Sequence, residues 1–392
     1  MSDSPIAPAR LRARVVITQH RLLHYRQAFF DRLRTAAAAR GIEVRLVHGQ
    51  PSATEALKKD TGQLPWADVM VNRFWRVRGV DVIWQPFPPG LRDADLVVLI
   101  QENRILSNYP WLLRIGVRPG QRVAYWGHGR NLQSAAPTGL RERWKRWFVN
   151  RVDGWFAYTE STRELLEGDG FPPERIAVLN NAIDNEQFQR DLRAVSDEVR
   201  ASCRARIGAT ADAPVALYCG SLYPDKRLEL LLAAADRVQA AMPAFRLVIV
   251  GDGPSRDVIA QAAASRPWLH AVGVQRGAEK AAWFAISQLY LSPGAVGLHV
   301  LDAFCAGTPM ITTGNARHGP EVAYLRSGEN GFVVDDDAKV YADTVIELLR
   351  DPARLQRVRD AASDDARRYT LENMVQRFVE GIERCLALPP LR

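Results

Sequence analysis

Between Leu291 and Val334 the chain reads LSPGAVGLHVLDAFCAGTPMITTGNARHGPEVAYLRSGENGFVV, and residues of these types and spacing could hold an anion. A short apolar run, Leu289 to Leu291, stops at Ser292-Pro293-Gly294, and Gly297 precedes a helical pattern. Leu298, Leu301 and Cys305 fall on one face of that helix, His299 and Asp302 on another. Strand, glycine turn and helix in this order leave backbone N–H groups unpaired at the helix start, and the helix dipole favours negative charge there. The same residues also fit an ordinary strand-to-helix turn with no ligand. A second strand, Pro309 to Thr312, and a loop through Gly319-Pro320-Glu321 follow, where a doubly wound sheet keeps its ligand crevice.

Other chemistry-bearing residues also sit just past apolar runs. Lys226 and Arg227 close the loop Gly220-Ser221-Leu222-Tyr223-Pro224-Asp225 after the strand Val215 to Cys219. Gly251-Asp252-Gly253-Pro254 follows Phe245 to Val250, and Val272 lies in His270-Ala271-Val272-Gly273. In the first half, Arg14 to Thr18 is a strand, and Gln19 to Arg26 then crowds His20, Arg21, His24, Tyr25 and Arg26 together. That loop lacks a G-x-G-x-x-G fingerprint, so no dinucleotide is expected there. Leu96 to Ile100 leads into Gln101-Glu102-Asn103-Arg104, and Val123 to Trp126 ends in Gly127-His128-Gly129-Arg130. A histidine between two glycines has a backbone free to approach a ligand.

These loops need a scaffold that brings strand ends together. Strand, helix, strand from Arg14 to Val47 starts a βαβ series, and a fresh series begins at Val215. The charged, alanine-rich stretch 185–212 marks the boundary. The class is α/β with two doubly wound domains, 1–184 and 185–370, followed by a C-terminal segment, 371–392, expected to be a helix packing back toward the first domain.

A chain of 392 residues, 47% hydrophobic, is long enough for two cores. No run is long and apolar enough to span a bilayer, and the N-terminus gives no apolar leader before its first strand. Cys203, Cys219, Cys305 and Cys385 are widely spaced and read as free thiols in a reducing cytoplasm. Of the net charge of +8, residues 1–185 carry 27 Lys/Arg against 18 Asp/Glu, a surplus of 9. Nucleic acid, an anionic membrane or a phosphate-bearing substrate would suit such a half, as would a plain arginine-rich composition. Leu140 to Val152, LRERWKRWFVNRV, fits an interfacial helix on anionic lipid, or an amphipathic helix with tryptophans turned inward.

The order of these segments resembles the family 4 glycosyltransferases of the retaining GT-B type. GSLYPDKR resembles the family's Gly-Arg-Leu…Glu-Lys-Gly loop, LVIVGDGP its next strand and turn, and NNAIDNEQF its Asn-Gly-Val-Asp hinge. PGAVGLHVLDAFCAGTPMIT with GPEV and NGFVV resembles its donor-binding segment. The resemblance implies two Rossmann-like domains facing across a cleft, with a nucleoside-diphosphate sugar as co-substrate and neither cofactor nor metal. Donor-binding positions would be Gly220, Ser221, Lys226, Arg227, Gly251, Gly253, Val272, Gly294, Gly297, Leu298, His299, Asp302 and Glu321. Lys226 and His128 would be catalytic, His128 orienting the donor sugar from the first domain. His20, Arg21, Tyr25, Arg26 and Arg130 would face a saccharide or lipid-linked acceptor. The expected setting is cytoplasmic, with peripheral attachment at the inner face of the membrane left open.

Two departures stand out. Ser221 replaces the family's arginine, and its glutamate–seven residues–glutamate pair falls on Gly294 and Asp302. Sugar recognition would then pass to the amides of Gly294 to Leu298, His299 or Glu321. A metal-dependent transferase fits less well: Asp93-Ala94-Asp95 precedes its strand, and Asp335-Asp336-Asp337 reads as a solvated loop beyond the donor segment. A non-catalytic nucleotide-sugar-binding relative is the competing class. Nucleic-acid binding lacks aromatic stacking motifs or a recognisable module.

Overall fold

A computed structural model describes residues 12–57, 60–129 and 147–391. The chain divides into two compact units, Met1–Asp184 with Leu371–Arg392, and Asn185–Thr370.

In the first unit the strands are β1 (Ala13–Arg21), β2 (Ile42–Gly49), β3 (Asp68–Met70), β4 (Arg73–Val77), β5 (Val80–Trp84), β6 (Leu96–Ile100), β7 (Arg122–Gly127), β8 (Gly154–Ala157) and β9 (Ile176–Val178). Seven form a parallel sheet in the order β3-β2-β1-β6-β7-β8-β9, while β4 and β5 pair separately as an antiparallel hairpin. Central strands of such a sheet are covered on both faces, so β6 reads Leu-Val-Val-Leu-Ile and is buried throughout. Strand order reverses between β1 and β6, which makes their carboxyl ends a switch point.

The helix Leu371–Ala387 belongs to this unit. Phe378 stacks on Phe156 at 4.3 Å between ring centroids, and Gly381 lets the helix approach so closely that a Cβ there would lie 2.7 Å from the Phe156 ring. Fully burying Phe378 is worth about 2–3 kcal/mol.

The second unit carries β10 (Val215–Cys219), β11 (Arg246–Val250), β12 (Leu269–Gly273), β13 (Leu289–Leu291), β14 (Met310–Thr313) and β15 (Gly331–Val334). They form one parallel sheet, β12-β11-β10-β13-β14-β15, whose order reverses between β10 and β13. Its core joins Leu217-flanking residues Ala216 and Tyr218 to Leu231, Leu247, Ile249, Ile311 and Tyr341.

The position of His20 and Arg21 differs from the expectation. β1 runs through His20 and Arg21, because Arg21 still pairs with Gly49, so both are strand residues and not loop residues. The stretch 51–95 holds the ordered β4–β5 hairpin. Of the amphipathic segment 140–152, residues 140–146 lie outside the described residues; Phe148, Val149 and Val152 are core residues, whereas Trp147 is exposed.

Candidate functional site

The switch point of the second unit gathers most of the expected donor residues, but several do work the sequence did not suggest. Beyond β10, the Gly220 N–H donates to Val250 O at 2.9 Å, and that of Leu222 to Asp252 O at 2.9 Å. Gly251 has φ +146, and a Cβ on it would lie 1.8 Å from Gly220 O; one on Gly253 would lie 2.6 Å from Leu222 O. These glycines therefore serve the close approach of one loop to its neighbour. Ser221 is exposed, with its carbonyl accepting the Tyr218 hydroxyl at 2.7 Å. Val272 is half-buried and its carbonyl accepts from Gln275 Nε2 at 2.7 Å.

Lys226, expected at the donor site, is tied down by the neighbouring loop. Its Nζ donates to Ala295 O at 2.6 Å, while the Ala295 N–H donates to Asp225 O at 3.0 Å. Burial lowers the pKa of this ammonium, with Asp225 opposing. The two loops are riveted together, and Gly294 lies in the rivet. A Cβ at position 294 would sit 2.3 Å from Asp225 O and 2.4 Å from Lys226 Cα, both backbone atoms. No glutamate fits there without displacing the 224–227 turn. The missing carboxylate is thus matched by packing around the glycine.

Arg227 is also committed. It adopts φ +54, donates to Thr313 Oγ1 at 3.2 Å and pairs with Asp336. The acidic run is correspondingly more than a solvated loop: Asp337 caps the helix Ala338–Arg350, accepting from Lys339 N at 2.8 Å and Val340 N at 3.0 Å.

The seven-residue helix His299–Cys305 begins after Leu298 with no side-chain cap. Gly297 has open space where a Cβ would be. Asp302 is buried, and Lys280 Nζ from the helix Gly277–Ala285 lies 2.7 Å from its Oδ2. Burial is the largest influence on Lys280 and opposes its charge, but Asp302 and Cys219 outweigh it and raise the pKa. The ammonium also lies 4.4 Å from the centroid of the Phe188 ring. Lys280 went unrecognised because it stands alone in its helix, 22 residues from Asp302, with no local pattern.

His318 was missed for the same reason. Its Nδ1 accepts from Val296 N at 3.1 Å and its Nε2 faces Thr313 O at 2.7 Å, so Nε2 carries the proton and the ring is neutral. Burial first, and then Lys226 and Arg227, lower its pKa. His299 lies against Tyr290, with ring centroids 5.7 Å apart, and 3.4 Å from Ser292 Oγ; burial, with Lys226 and Lys280, brings its pKa down to about 3. Glu321 is buried, with its carboxylate against Gly319, whose N–H donates to Val296 O at 2.7 Å.

The switch point of the first unit is built differently. His20 Nε2 lies 3.0 Å from Glu55 Oε1, and Nδ1 lies 3.4 Å from Glu102 Oε1. Arg104 reaches Glu55 at 2.8 Å and Glu102 at 2.7 Å, and Arg21 pairs with Asp60. Burial works against the charged form of His20, but Glu102 and Glu55 outweigh it and raise the pKa; the same contacts hold both carboxylates low. Glu55, from the short helix Ala53–Ala56, and Asp60 are the members sequence reading missed.

Arg26 does not face outward as an acceptor residue should. It is buried, donates to Asn181 Oδ1 at 2.6 Å and lies over the Trp126 ring at 5.3 Å, so it braces the core. Tyr25 is half-buried beside it. Arg130 lies outside the described residues.

His128 is exposed, its ring edge-on to Tyr158 at 4.4 Å. Surrounding protein, with Arg26, lowers its pKa against the pull of Glu102; the ring also meets solvent, and it is neutral at pH 7. The Gly-His-Gly turn is not loose. Gln101 Oε1 accepts from Gly129 N at 2.9 Å and Gln101 Nε2 donates to Gly129 O at 2.7 Å.

The family described as Glycosyltransferase Family 4 matches residues 27–187, and that described as Glycosyl transferases group 1 matches residues 213–351. The chain belongs to glycosyltransferase family 4. A curated relative, the D-inositol 3-phosphate glycosyltransferase of Thermobispora bispora, is 30% identical over 242 residues, covering 57% of this chain and 54% of the relative. The chain spans about half the length of the curated relatives it matches.

Among solved structures, Anabaena HepE in complex with UDP is 15% identical, covers 95% of this chain and all of that one, and has a TM-score of 0.65. The same protein with UDP-glucose is 16% identical at 95% and 100% coverage, with a TM-score of 0.62. A glycosyltransferase from Rickettsia africae is 13% identical, covers 96% and 99%, and has a TM-score of 0.67. The two Rossmann-like units are those of the GT-B fold. In this family 4 chain the group 1 match spans the loops that hold Lys226, Asp302 and Gly294.

Proposed function

We propose that this chain transfers a hexose from a nucleoside-diphosphate sugar to a saccharide or lipid-linked acceptor, with retention and without a metal, in bacterial surface polysaccharide or glycoconjugate synthesis. The observation that carries the reading is the rim at the β10–β13 switch point, where buried Asp302 pairs with Lys280 beside the uncapped start of the helix His299–Cys305. A buried carboxylate can accept both hydroxyls of a ribose diol, and charge-assisted bonds of this kind are the strong ones. Lys226 and the amides of Gly297 to His299 would meet the diphosphate. HepE, which shares the fold, has been crystallised in complex with UDP and with UDP-glucose, and the curated relatives include D-inositol 3-phosphate glycosyltransferases.

In the reaction the bond from sugar C1 to the diphosphate oxygen breaks and a bond from C1 to the acceptor oxygen forms on the same face. The acceptor's proton passes to the leaving phosphate oxygen. Fixed charge and dipoles around that oxygen supply the stabilisation, and neutral His128 orients the sugar. His20, Arg21 and the exposed part of Glu102 would form the acceptor side.

The packing at Gly294 favours one second reading, a relative that binds nucleotide sugar without transferring it, because a family carboxylate has no room there. A thermal-shift screen with UDP, GDP, ADP and TDP, followed by product detection with the sugar form of the best nucleotide, tests both. Saturating nucleotide at 100 times its dissociation constant should stabilise by about 2.7 kcal/mol. Turnover unaffected by chelator supports the transferase; binding with no turnover on any acceptor supports the second reading; no nucleotide binding contradicts both.

A further inference from the structure

The β4–β5 hairpin turns a sheet face to solvent that nothing in the donor or acceptor chemistry uses. Arg78 and Gly79 both have positive φ, +49 and +80, as a two-residue hairpin turn requires. Period-two alternation divides the strands cleanly. Phe74 and Ile83 point inward onto Ile100 and Ile105, and Arg76 and Asp81 pair at 3.7 Å on that same side, Arg76 also donating to Thr54 Oγ1 at 3.3 Å. The opposite face carries the cross-strand pairs Arg73–Trp84, Trp75–Val82 and Val77–Val80. Trp75 is 49% exposed, Val77 53%, Val80 52% and Trp84 39%. Val69 and Val71, just ahead of the hairpin, are exposed as well.

A contiguous apolar face of this kind marks an interaction site, since scattered single side chains would need no explanation. Its composition selects the partner. Two tryptophans with valines between them suit the boundary between headgroups and acyl chains, where an indole buries its ring and keeps its N–H wet. Arg73 edges the same face, Arg78 stands at its tip, and the hairpin holds three arginines against one aspartate within a half of the chain with a surplus of nine positive charges. Such cations attract anionic lipid, and their aliphatic stems can lie along the apolar face. Among the described residues no helix is long and apolar enough to cross a membrane, so attachment through this face would be interfacial.

We propose that the outward face of the β4–β5 hairpin docks this protein on an anionic lipid surface. The test is co-sedimentation of the full chain with vesicles of phosphatidylcholine, with and without phosphatidylglycerol, at rising salt. The chain should bind only the anionic vesicles and release as salt rises. Trp75→Ser with Trp84→Ser, and separately Arg73→Ala with Arg78→Ala, should each weaken binding by about tenfold or more. Both pairs are exposed, so the melting temperature and the thermal shift given by UDP should stay as in the parent, which keeps this test separate from the donor-site reading. Should the tryptophan pair melt early, Val77→Glu, a single exposed change near the tip, must reproduce the loss. Equal binding to pure phosphatidylcholine, binding that survives all three variants, or a self-association in solution that Val77→Glu abolishes while vesicle binding persists would each overturn the proposal.

Discussion

The two switch points do opposite things with charge. In the second unit the rim is made of backbone: Gly251 and Gly253 let the 220–222 loop close in, Gly294 lies on the Asp225–Lys226 backbone, and His318 pins Val296. Its cations are tied one by one, Lys226 to Ala295 O, Arg227 to Asp336 and Lys280 to Asp302. In the first unit the corresponding place is a cage of opposed side chains, with His20, Arg21 and Arg104 among Glu55, Glu102 and Asp60. A ligand of high negative charge needs amides and positive charge that no carboxylate cancels, and here the second unit keeps Lys226, which is bonded only to the neutral Ala295 carbonyl. A cage whose charges already cancel is suited to neutral hydroxyls. On the function proposed above, the difference would put the diphosphate at the second unit and a polyol acceptor at the first.

The largest expected effect breaks the backbone rim. Gly294→Ala places a Cβ against two immovable backbone atoms, and overpacking of that kind costs about 3 kcal/mol. Thermal melting should show the loss, and nucleotide binding should vanish with it; a variant of unchanged stability would mean the two loops are not riveted.

Breaking the cage should cost a similar amount without touching nucleotide. Glu55→Gln leaves His20 and Arg104 short of a buried partner, a loss of about 3 kcal/mol by chemical denaturation. If UDP affinity fell in step, the two sites would not be independent.

Lys280→Met sharpens the comparison from the other side. Asp302 loses its counter-charge and its orientation, so nucleotide affinity should drop roughly tenfold, about 1.4 kcal/mol. Calorimetry would check it, and unchanged affinity would reduce the pair to helix packing.

The smallest effect is that of pH. His299 and His318 have folded-state pKa values below their unfolded ones, so folding favours their neutral forms. Their contribution is complete above the unfolded pKa near 6.5 and declines as pH falls toward about 3, the folded value of His299. His20 runs the other way: its pKa is raised, so its contribution is present below the unfolded value and is lost as pH rises through the folded one. Melting curves of His318→Gln and His20→Gln between pH 5 and 8 should show opposite slopes relative to the parent; slopes of the same sign would contradict the assignment.

Much of this was legible in the chain. Continuous apolar strands such as Leu96–Ile100, and glycine turns at the strand ends, carried the α/β class and the placement of Lys226, Gly294 and Asp302. What stayed hidden depends on contacts across sequence. Lys280, His318, Glu55 and Gln101 have no motif of their own and acquire meaning from Asp302, Val296, His20 and Gly129. Arg26 looked like a ligand residue because a basic side chain in a strand-end loop is usually solvated; here Asn181 and Trp126 bury it. The hairpin escaped notice because its exposed face is as apolar as its buried one, which erases the alternation that marks a half-buried strand.

The most direct measurement of the central claim is the affinity of UDP by isothermal titration for the parent, Asp302→Asn and Glu102→Gln. Asp302→Asn should weaken UDP at least about tenfold through loss of charge-assisted bonds to the ribose, while Glu102→Gln leaves it within twofold. UDP bound equally by parent and Asp302→Asn, or weakened only by Glu102→Gln, would contradict the placement of the nucleotide in the second unit.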